Sequence, residues 1–584
     1  MCGIVGGLWL GAPRTGQSYS HENSLSWDVL AQLLESSGNR GHESVGVSLR
    51  APNNINITKR TQGSVSKFIK DNSDDLNQFM ESCQINDFLC HIRYATNSGK
   101  KRVGKGDDRN NIHPLSINSE NYSLKIIENG QTYFNEDKGG IEEYTDELMN
   151  SYSDEDIGNY ISKRSGLTRF GATSDTSFKG MKLADLMEKL STDNPDDSFD
   201  HLVEKCLSKV YADTFDNGMF STIGLVTDKN TDQSLFFVMR DGGRPLHWFD
   251  LDGYRIFCSE PSPAFDLIQN ISIPLKPENI YEFPAGMMQI YDSATGSLLR
   301  ETRNQKKKPL CFFEPVYLMR HDGYLNDISG NPVPIAEIRA LLGLKAYEEH
   351  RSLFEGEDDL VIAPVPNSAN DYAKYLGPDY NIIGKNNSYR TFIISDDPVE
   401  RFNKANDKFV VHSSVKDKSV VVIEDSLVRY TNAAVINKKL RALGAEKVYY
   451  IFGCPPITSP CYGGINSYRE HLATTAIELR DGIKAKDIAK DYYGTGAHKE
   501  FEEALEYFEH EPRLMELLGG PVITDGVGFI SNAGMDKVFE SLNLPPTSRC
   551  CVTDKYPYQF EGIENGQFIP SAEYAGTIKC KTVA

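Results

Sequence analysis

The first half of the chain contains short apolar runs that are typical of β-strands. Clear examples are SLFFVMRDG at 234–242 and RIFCSE at 255–260, and Gly, Asp and Asn residues separate such runs as turns. Residues 131–210 are more polar and charged, which predicts an inserted segment of helices and loops. We therefore expect residues 1 to about 300 to be rich in strands.

The second half has a different pattern, in which strands alternate with loops and a helix. Apolar runs at 358–366, 418–425 and 447–453 predict strands, and AAVINKKLRAL at 433–443 predicts a helix that ends at Gly444 as its C-terminal cap. This order of elements predicts a parallel sheet whose ligand-binding loops lie at the carboxyl ends of the strands.

Composition and charge narrow the classes of function. The chain has 584 residues, 39% of them hydrophobic, which is enough for several domains with large cores. Its net charge of −20 disfavours non-specific binding to nucleic acid, whereas a local pocket can still bind a small anionic substrate.

Targeting signals and cysteine usage indicate the compartment. We see no apolar run as long as a membrane span, and the N-terminus lacks the basic and apolar segments of a signal peptide. The eleven cysteines are odd in number and scattered, which favours reduced thiols, catalysis or metal binding over a disulfide framework. We expect a cytoplasmic protein without a membrane partner.

Cys2 is the most informative residue of the chain. If Met1 is removed, Cys2 carries a nucleophilic thiol and a free α-amine that titrates at about pH 7.7–8.0. One residue then holds a nucleophile and its own base, as in N-terminal-nucleophile catalysis. The alternative is a chance early cysteine, but the Gly-Ile-Val-Gly that follows suits a buried strand with room for a ligand against its backbone.

Four short motifs accompany Cys2 in the first half, and each is weak alone. They are NRGHESVG with Arg40, HIRYATNSG with Arg93, Tyr94 and Thr96, ENGQT with Asn129 and Gly130, and TSDTS with Asp175. Together and in this order they resemble the class II glutamine amidotransferases, which are N-terminal-nucleophile (Ntn) hydrolases.

The resemblance implies a role for each of these residues. Cys2 would form a γ-glutamyl thioester and release ammonia, while Asn129 and Gly130 would form the oxyanion hole. Arg93 would bind the α-carboxylate of glutamine and Asp175 its α-ammonium, with Arg40, Tyr94 and Thr96 lining the pocket. Two positions depart from the family pattern, since Cys90 replaces a common glycine and Glu128 replaces a common histidine.

The segment VVVIEDSLVRYTNA at 420–433 resembles the signature of type I phosphoribosyltransferases. Glu424 and Asp425 would face the ribose hydroxyls and a Mg²⁺-bearing diphosphate. An ordinary buried strand that leads to an N-capped helix is the alternative. The resemblance implies that the loop after the acidic pair binds the 5′-phosphate through Ser426, Leu427, Val428, Arg429, Tyr430, Thr431 and Asn432.

Further segments resemble the amidophosphoribosyltransferase family. They are CFFEPVYLMRHDG at 311–323, VIAPVPNSAN at 361–370 and YRTFI at 389–393. The resemblance implies that Ser368 lies near the metal and that Arg401, Lys404 and Lys408 supply cations to the leaving diphosphate. The alternative for these three basic residues is a solvated run of charges. Tyr430 stands where the family usually has glycine, so a different phosphorylated acceptor stays open as an alternative.

Some members of this family carry a structural [4Fe–4S] cluster on four cysteines. Cys311, Cys461 and Cys551 match three of the ligand positions, and the fourth falls on Ser548. Cys550 is the nearest replacement for the missing ligand. The alternative is that these cysteines are small buried residues.

The combined expectation is a protein of the α/β and α+β classes with two functions. We expect a four-layer αββα Ntn glutaminase over 2–300, a type I phosphoribosyltransferase domain over 301–480 and a C-terminal extension over 481–584. The basic stretch at 300–309 is the predicted linker.

The implied function is glutamine-dependent synthesis of phosphoribosylamine from phosphoribosyl diphosphate, the first step of purine synthesis. The family resemblance also implies a homo-oligomer and regulation by purine nucleotides. A glutaminase that serves another phosphorylated acceptor and a phosphoribosyl-diphosphate-binding regulator with a silent transferase half remain as alternatives.

Overall fold

The computed structural model describes residues 2–11, 25–94, 112–132, 175–215, 218–271, 273–386, 403, 405–428, 431–457, 461, 524–553, 563–564 and 567–568. These residues divide by their contacts into two units. The first unit ends at Cys311 and includes the short strands at 563–564 and 567–568, and the second begins at Phe312 and includes 524–553.

Two antiparallel sheets form the first unit. The seven-stranded sheet has the order β11-β9-β10-β1-β4-β2-β3, and the six-stranded sheet has the order β13-β12-β8-β7-β6-β5. The strands are β1 (Gly3–Trp9), β2 (Ser44–Arg50), β3 (Asn56–Gln62), β4 (Asp87–Arg93), β5 (Leu115–Asn118), β6 (Tyr122–Thr132), β7 (Gly218–Asp228), β8 (Ser234–Arg240), β9 (His247–Leu251), β10 (Tyr254–Cys258), β11 (Tyr281–Glu282), β12 (Met287–Asp292) and β13 (Leu298–Arg303).

Helices cover the outer faces of both sheets. Those of this unit are α1 (Trp27–Ser37), α2 (Val65–Ser82), α3 (Asp175–Asp193), α4 (Phe199–Phe215) and α5 (Ser262–Asp266). The Ser26 and Ser64 hydroxyls accept hydrogen bonds from backbone N–H groups of the first turns of α1 and α2, as N-caps do. Helices α3 and α4 agree with the helical character expected for part of 131–210.

The alternation of side chains along β1 explains the layers. Val5 packs in the core between the first sheet and helices α1 and α2, whereas Ile4 and Leu8 pack in the core between the two sheets. A third core joins the second sheet to α3 and α4. The resulting order of helix, sheet, sheet and helix is the expected αββα architecture.

A four-stranded parallel sheet with the order β16-β19-β20-β21 is the centre of the second unit. Helix α6 packs on β20 and β21, and α7 crosses between β19 and β20. The strands are β14 (Tyr324–Asn326), β15 (Pro332–Pro334), β16 (Leu360–Pro364), β17 (Ile383–Lys385), β18 (Phe409–Val411), β19 (Ser419–Glu424), β20 (Lys447–Phe452) and β21 (Gly526–Phe529), and the helices are α6 (Ile335–His350), α7 (Thr431–Ala442), α8 (Asn532–Ser541) and α9 (Cys550–Thr553). Two further short strands, β22 (Ile563–Glu564) and β23 (Gln567–Phe568), pair with each other.

The stretch expected as a linker belongs largely to the first unit. Residues 300–303 are the end of β13, and Lys308 is 4% exposed because its ammonium binds the backbone carbonyls of Phe215 and Gly218. Lys306 and Lys307 are exposed, and the division between the two units follows shortly after them, at Cys311. Across the parts of the chain that the structure describes, no helix is long and apolar enough to span a bilayer.

Candidate active sites

Cys2 lies immediately before β1 and is 8% exposed. Its Sγ donates to the Tyr94 carbonyl oxygen at 3.6 Å, and its own carbonyl accepts from Arg40 Nε at 3.3 Å. Because Gly3 pairs with Ile92 in β4, the start of β1 lies next to the end of β4. The structure therefore brings Cys2, Arg40 and the backbone of Tyr94 together.

Arg40 and Arg93 place two buried guanidinium groups in this region. Arg40 Nη1 lies 3.7 Å from Glu260 Oε1, and both side chains are almost wholly buried. Arg93 is the last residue of β4 and is 8% exposed. Gly41 makes this packing feasible, since a Cβ there would lie 2.4 Å from the Arg93 carbonyl oxygen. Glu260 balances the charge of Arg40, and a buried guanidinium such as that of Arg93 suits the binding of a carboxylate substrate.

The two predicted oxyanion residues lie in β6, paired with Ser221 and Phe220 of β7. Asn129 is 0% exposed, and neither Nδ2 nor Oδ1 of its amide has a hydrogen-bond partner within the described residues. Gly130 has a φ of +144°, and a Cβ there would lie 1.9 Å from the Met219 carbonyl oxygen. A buried amide without a partner is costly, so this amide is suited to a ligand that supplies the missing bond.

His91 connects β6 to the strand that follows Cys2. It lies in β4 opposite Ile4 of β1, and its ring Nε2 is 3.1 Å from the Glu128 carbonyl oxygen. A carbonyl only accepts, so Nε2 carries the proton. Burial lowers the pKa of His91 to about 3, and the ring is neutral at physiological pH. This bond holds Glu128 of β6, the residue before Asn129, against β4, which pairs with β1.

Sequence reasoning missed three polar residues beside this site. Glu260 binds Arg40, His113 stacks on His91 with ring centroids 4.1 Å apart, and Lys179 forms an ion pair with Glu128. All three residues are distant from Cys2 in sequence, and Glu260 stands near the end of the first unit. Only the folded structure brings them close to the site. His91 stands in the motif HIRYATNSG, but only Arg93, Tyr94 and Thr96 of that motif were predicted as site residues.

Two of the predicted glutamine-binding side chains cannot be placed. Thr96 lies outside the described residues. Asp175 is the first residue of α3, but its side chain also lies outside what the structure describes.

The acidic pair of the second unit lies where the parallel-sheet pattern predicted it. Glu424 is the last residue of β19, opposite Phe452 of β20, and Asp425 follows directly. Both are buried, at 6% and 3% exposure, and Asp425 Oδ1 accepts from Ser426 Oγ at 2.6 Å. Burial, and next the Asp425 charge, raise the pKa of Glu424 well above its usual value, while Lys408 opposes this shift.

The loops around this pair come from adjacent strands. Ser368 lies in the loop after β16, which pairs with β19, so both loops lie at one edge of the sheet. Leu427 and Val428 bury their side chains, which leaves their backbone as the part that can meet a phosphate. Asn432 lies in the first turn of α7.

Several predicted phosphate-site residues fall outside the described part of the chain. They are Arg401, Lys404, Arg429 and Tyr430, together with the side chain of Thr431 at the start of α7. Lys408 is described and buried at 6% exposure, and its carbonyl accepts from Asn386 N at 2.8 Å beside the β17–β18 ribbon. Lys408 is thus the one predicted loop cation whose position near the acidic pair is known.

The four cysteines predicted as cluster ligands all lie within the described residues. Cys311, Cys550 and Cys551 are buried and Cys461 is half-buried. Among the described residues, which include all four, no group of three or more cysteine, histidine or carboxylate side chains could hold a metal ion. The contact division places Cys311 in the first unit and the other three in the second.

Comparison with known proteins gives a consistent set of relatives, although no protein-family model matches the chain. The amidophosphoribosyltransferase of Methanothermobacter thermautotrophicus is 25% identical over 496 residues, which cover 81% of this chain and 85% of that protein. The amidophosphoribosyltransferase of Archaeoglobus fulgidus is 25% identical over 486 residues, which cover 81% and 87% of the two chains. The Escherichia coli amidophosphoribosyltransferase is 31% identical over a shorter stretch, 30% of this chain and 35% of its own.

Solved structures share the fold over nearly the whole chain. The glutamine phosphoribosylpyrophosphate amidotransferase from B. subtilis complexed with ADP and GMP matches with a TM-score of 0.61 and 19% identity, covering 95% of this chain and 97% of its own. A structure described as the allosteric regulatory enzyme of purine biosynthesis matches with a TM-score of 0.60 and 20% identity, covering 95% and 96%. The chain is therefore similar to amidophosphoribosyltransferases along 81% of its length, and it shares the fold of the solved structures over 95% of it.

Proposed function

We propose that this protein transfers the amide nitrogen of glutamine to phosphoribosyl diphosphate and forms phosphoribosylamine, glutamate and diphosphate. The Cys2 thiolate attacks the glutamine amide carbon and expels ammonia, and water hydrolyses the resulting γ-glutamyl thioester. The ammonia then attacks C1 of phosphoribosyl diphosphate and displaces diphosphate. The curated relatives are named amidophosphoribosyltransferases, which is the name of an enzyme that catalyses this reaction.

The observation that carries the glutaminase half is the buried, unpartnered amide of Asn129 beside the strand that begins after Cys2. An oxyanion supplies the acceptor that the Asn129 amide N–H lacks, and the Gly130 N–H adds a second donor. Arg93 would hold the α-carboxylate of glutamine, Asp175 would hold its α-ammonium, and Arg40, Tyr94 and Thr96 would line the pocket.

The acidic pair at the end of β19 supports the transferase half. Glu424 Oε2 is buried without a hydrogen-bond partner among the described residues, and Asp425 and Ser368 add oxygen donors on adjacent loops. Carboxylate and hydroxyl oxygens are the ligands that Mg²⁺ prefers, so these residues fit a magnesium ion brought by the diphosphate. Such an ion would neutralise charge on the leaving diphosphate, with residues 426–432 at the 5′-phosphate and Arg401 and Lys404 at the diphosphate.

One assay tests this proposal against its alternatives. The protein is incubated with glutamine, with and without phosphoribosyl diphosphate and Mg²⁺, and glutamate and diphosphate are measured together. Both products support the proposal, glutamate alone indicates a different acceptor, and neither product indicates a regulator without activity. Full glutaminase activity in Cys2→Ala would end the N-terminal-nucleophile assignment, and intact-mass measurement tests the removal of Met1.

The remaining family traits are proposed for this chain on similarity alone. We propose a cytoplasmic homo-oligomer that purine nucleotides regulate, since the B. subtilis structure was solved with ADP and GMP. Titration of activity with both nucleotides tests this regulation. The [4Fe–4S] cluster stays a prediction, and an iron-free, colourless and fully active preparation would remove it.

A further inference from the structure

A buried ion pair lies directly behind the proposed oxyanion hole. Glu128 precedes Asn129 in β6, and its carboxylate pairs with the ammonium of Lys179, with both side chains 1% exposed. The sequence resembles a family that often has histidine at position 128, so this pair is a feature of the present chain.

Polar and aromatic contacts hold the two charges in one arrangement. Thr222 Oγ1 donates to Glu128 Oε2 at 2.7 Å, the same oxygen that Lys179 binds. The ammonium also lies 3.8 Å from the centre of the Phe220 ring. Because both charges have lost their hydration, each depends on the other, and the position of one fixes the position of the other.

The pair joins two elements that carry different parts of the proposed glutamine site. Glu128 stands in the strand of the oxyanion donors Asn129 and Gly130. Lys179 stands in α3, one helical turn after Asp175, the first residue of that helix. A shift of either element would therefore be transmitted to the other through the pair.

We propose that Glu128 and Lys179 are positioning residues that fix the oxyanion donors relative to the start of α3. This inference rests on the proposed glutaminase function and deepens it, since neither side chain is assigned contact with glutamine. The pair would influence both the KM for glutamine, through the start of α3, and kcat, through Asn129. Ammonia-dependent synthesis, which bypasses glutamine, would not depend on it.

The test compares Lys179→Met with the double variant Glu128→Gln/Lys179→Met in the full-length protein. The single variant leaves a buried charge without its partner, and we expect kcat/KM for glutamine to fall at least tenfold, while ammonia-dependent activity stays within twofold. The double variant removes both charges and should recover part of the loss. Lys182→Met is the matched control, because Lys182 also lies in α3 but pairs with Asp213 at 2.8 Å in a more exposed setting, and it should change neither activity.

Thr222→Val is a second and smaller change, because it removes only the hydroxyl that donates to Glu128. We expect about a threefold loss of kcat/KM for glutamine. Folded Lys179→Met and Thr222→Val proteins with wild-type kcat and KM would overturn the proposal, as would equal losses of glutamine- and ammonia-dependent activity. A wild-type protein without glutaminase activity would overturn the proposed function and the role of the pair with it.

Discussion

At the residue scale, Asn129 is the residue whose replacement should impair catalysis with the least effect on stability. Its amide has no hydrogen-bond partner within the described residues, so removing it breaks no such bond there. We expect Asn129→Ala to lower the glutaminase kcat by about 10²–10³ with little change in KM, as the loss of one oxyanion donor does. Steady-state release of glutamate measures both constants.

Asn118→Ala is the control for this experiment, because Asn118 is a half-buried asparagine in β5 of the same sheet. It should keep the wild-type kcat. A rise in KM with an unchanged kcat in Asn129→Ala would mean that this amide binds the ground state, which contradicts an oxyanion role.

Glu424 gives a pH-dependent prediction. Burial raises the pKa of its carboxyl in the folded protein, so the stability it contributes is complete below its unfolded pKa and is lost as pH rises through the folded pKa. Glutamine cannot ionise, so Glu424→Gln should gain stability relative to wild type between pH 5 and 8. Thermal unfolding without divalent cations should show a Tm difference of a few degrees at pH 8 and a smaller one at pH 5.

The exposed Glu540→Gln in α8 serves as the control and should show no such trend. A Glu424→Gln protein that is less stable than wild type at pH 8 would contradict a carboxyl whose charge is penalised by burial.

The sequence suggested candidate chemical residues but not the buried groups that contact them. Cys2, Arg40 and Tyr94 were expected near one another, and the structure places them so. Tyr94, however, contacts Cys2 through its backbone carbonyl, and only the folded structure reveals which atom points inward. Glu260 and Lys179 were not predicted, because a buried counter-charge from a distant segment leaves no local pattern.

At the element scale, prediction succeeded where the apolar pattern was long. Strands β16, β19 and β20 and helix α7 were all expected within a few residues of their observed bounds. Strand β21 was not, because Gly526–Phe529 has four residues, two of them glycine, and follows β20 only after a long interval in sequence. A short strand of this kind is specified by pairing with its neighbour more than by its own composition.

The close approach of β6 and β7 at Gly130 gives a prediction about the stability of this strand pair. A Cβ at this position would clash with the Met219 carbonyl, and the φ of +144° disfavours any other residue. We expect Gly130→Ala to lower the free energy of unfolding by about 3 kcal/mol or more, since overpacking alone costs about 1–3 kcal/mol. Urea denaturation measures the loss.

Gly63→Ala separates the clash from the backbone strain. Gly63 has a φ of +121°, but its nearest neighbour is the flexible Lys67 side chain, with Cδ at 3.2 Å. This control should lose only about 1 kcal/mol. Equal losses in both variants would show that β6 and β7 can separate at Gly130 without cost.

At the scale of the whole molecule, the two proposed reactions use residues of different units. Cys2 and Asn129 belong to the first unit, and Glu424 and Asp425 belong to the second. The relatives and solved structures match both parts, since the alignments cover 81% and 95% of the chain. A substitution at one site should therefore impair the reaction of that site and leave the chemistry of the other site intact.

Separate variants of the two sites test this division of labour. Cys2→Ser should lower glutamine-dependent release of diphosphate at least 10³-fold, because a serine hydroxyl is a far weaker nucleophile than a thiolate. It should leave ammonia-dependent release within twofold. Asp425→Asn should lower diphosphate release with either nitrogen source, because the acidic pair binds the phosphoribosyl acceptor and not the nitrogen donor.

Asp358→Asn is the control, because Asp358 is an exposed carboxylate before β16, and it should change neither rate. If Cys2→Ser lost both activities equally, or if Asp425→Asn spared the ammonia-dependent reaction, the assignment of one reaction to each unit would fail.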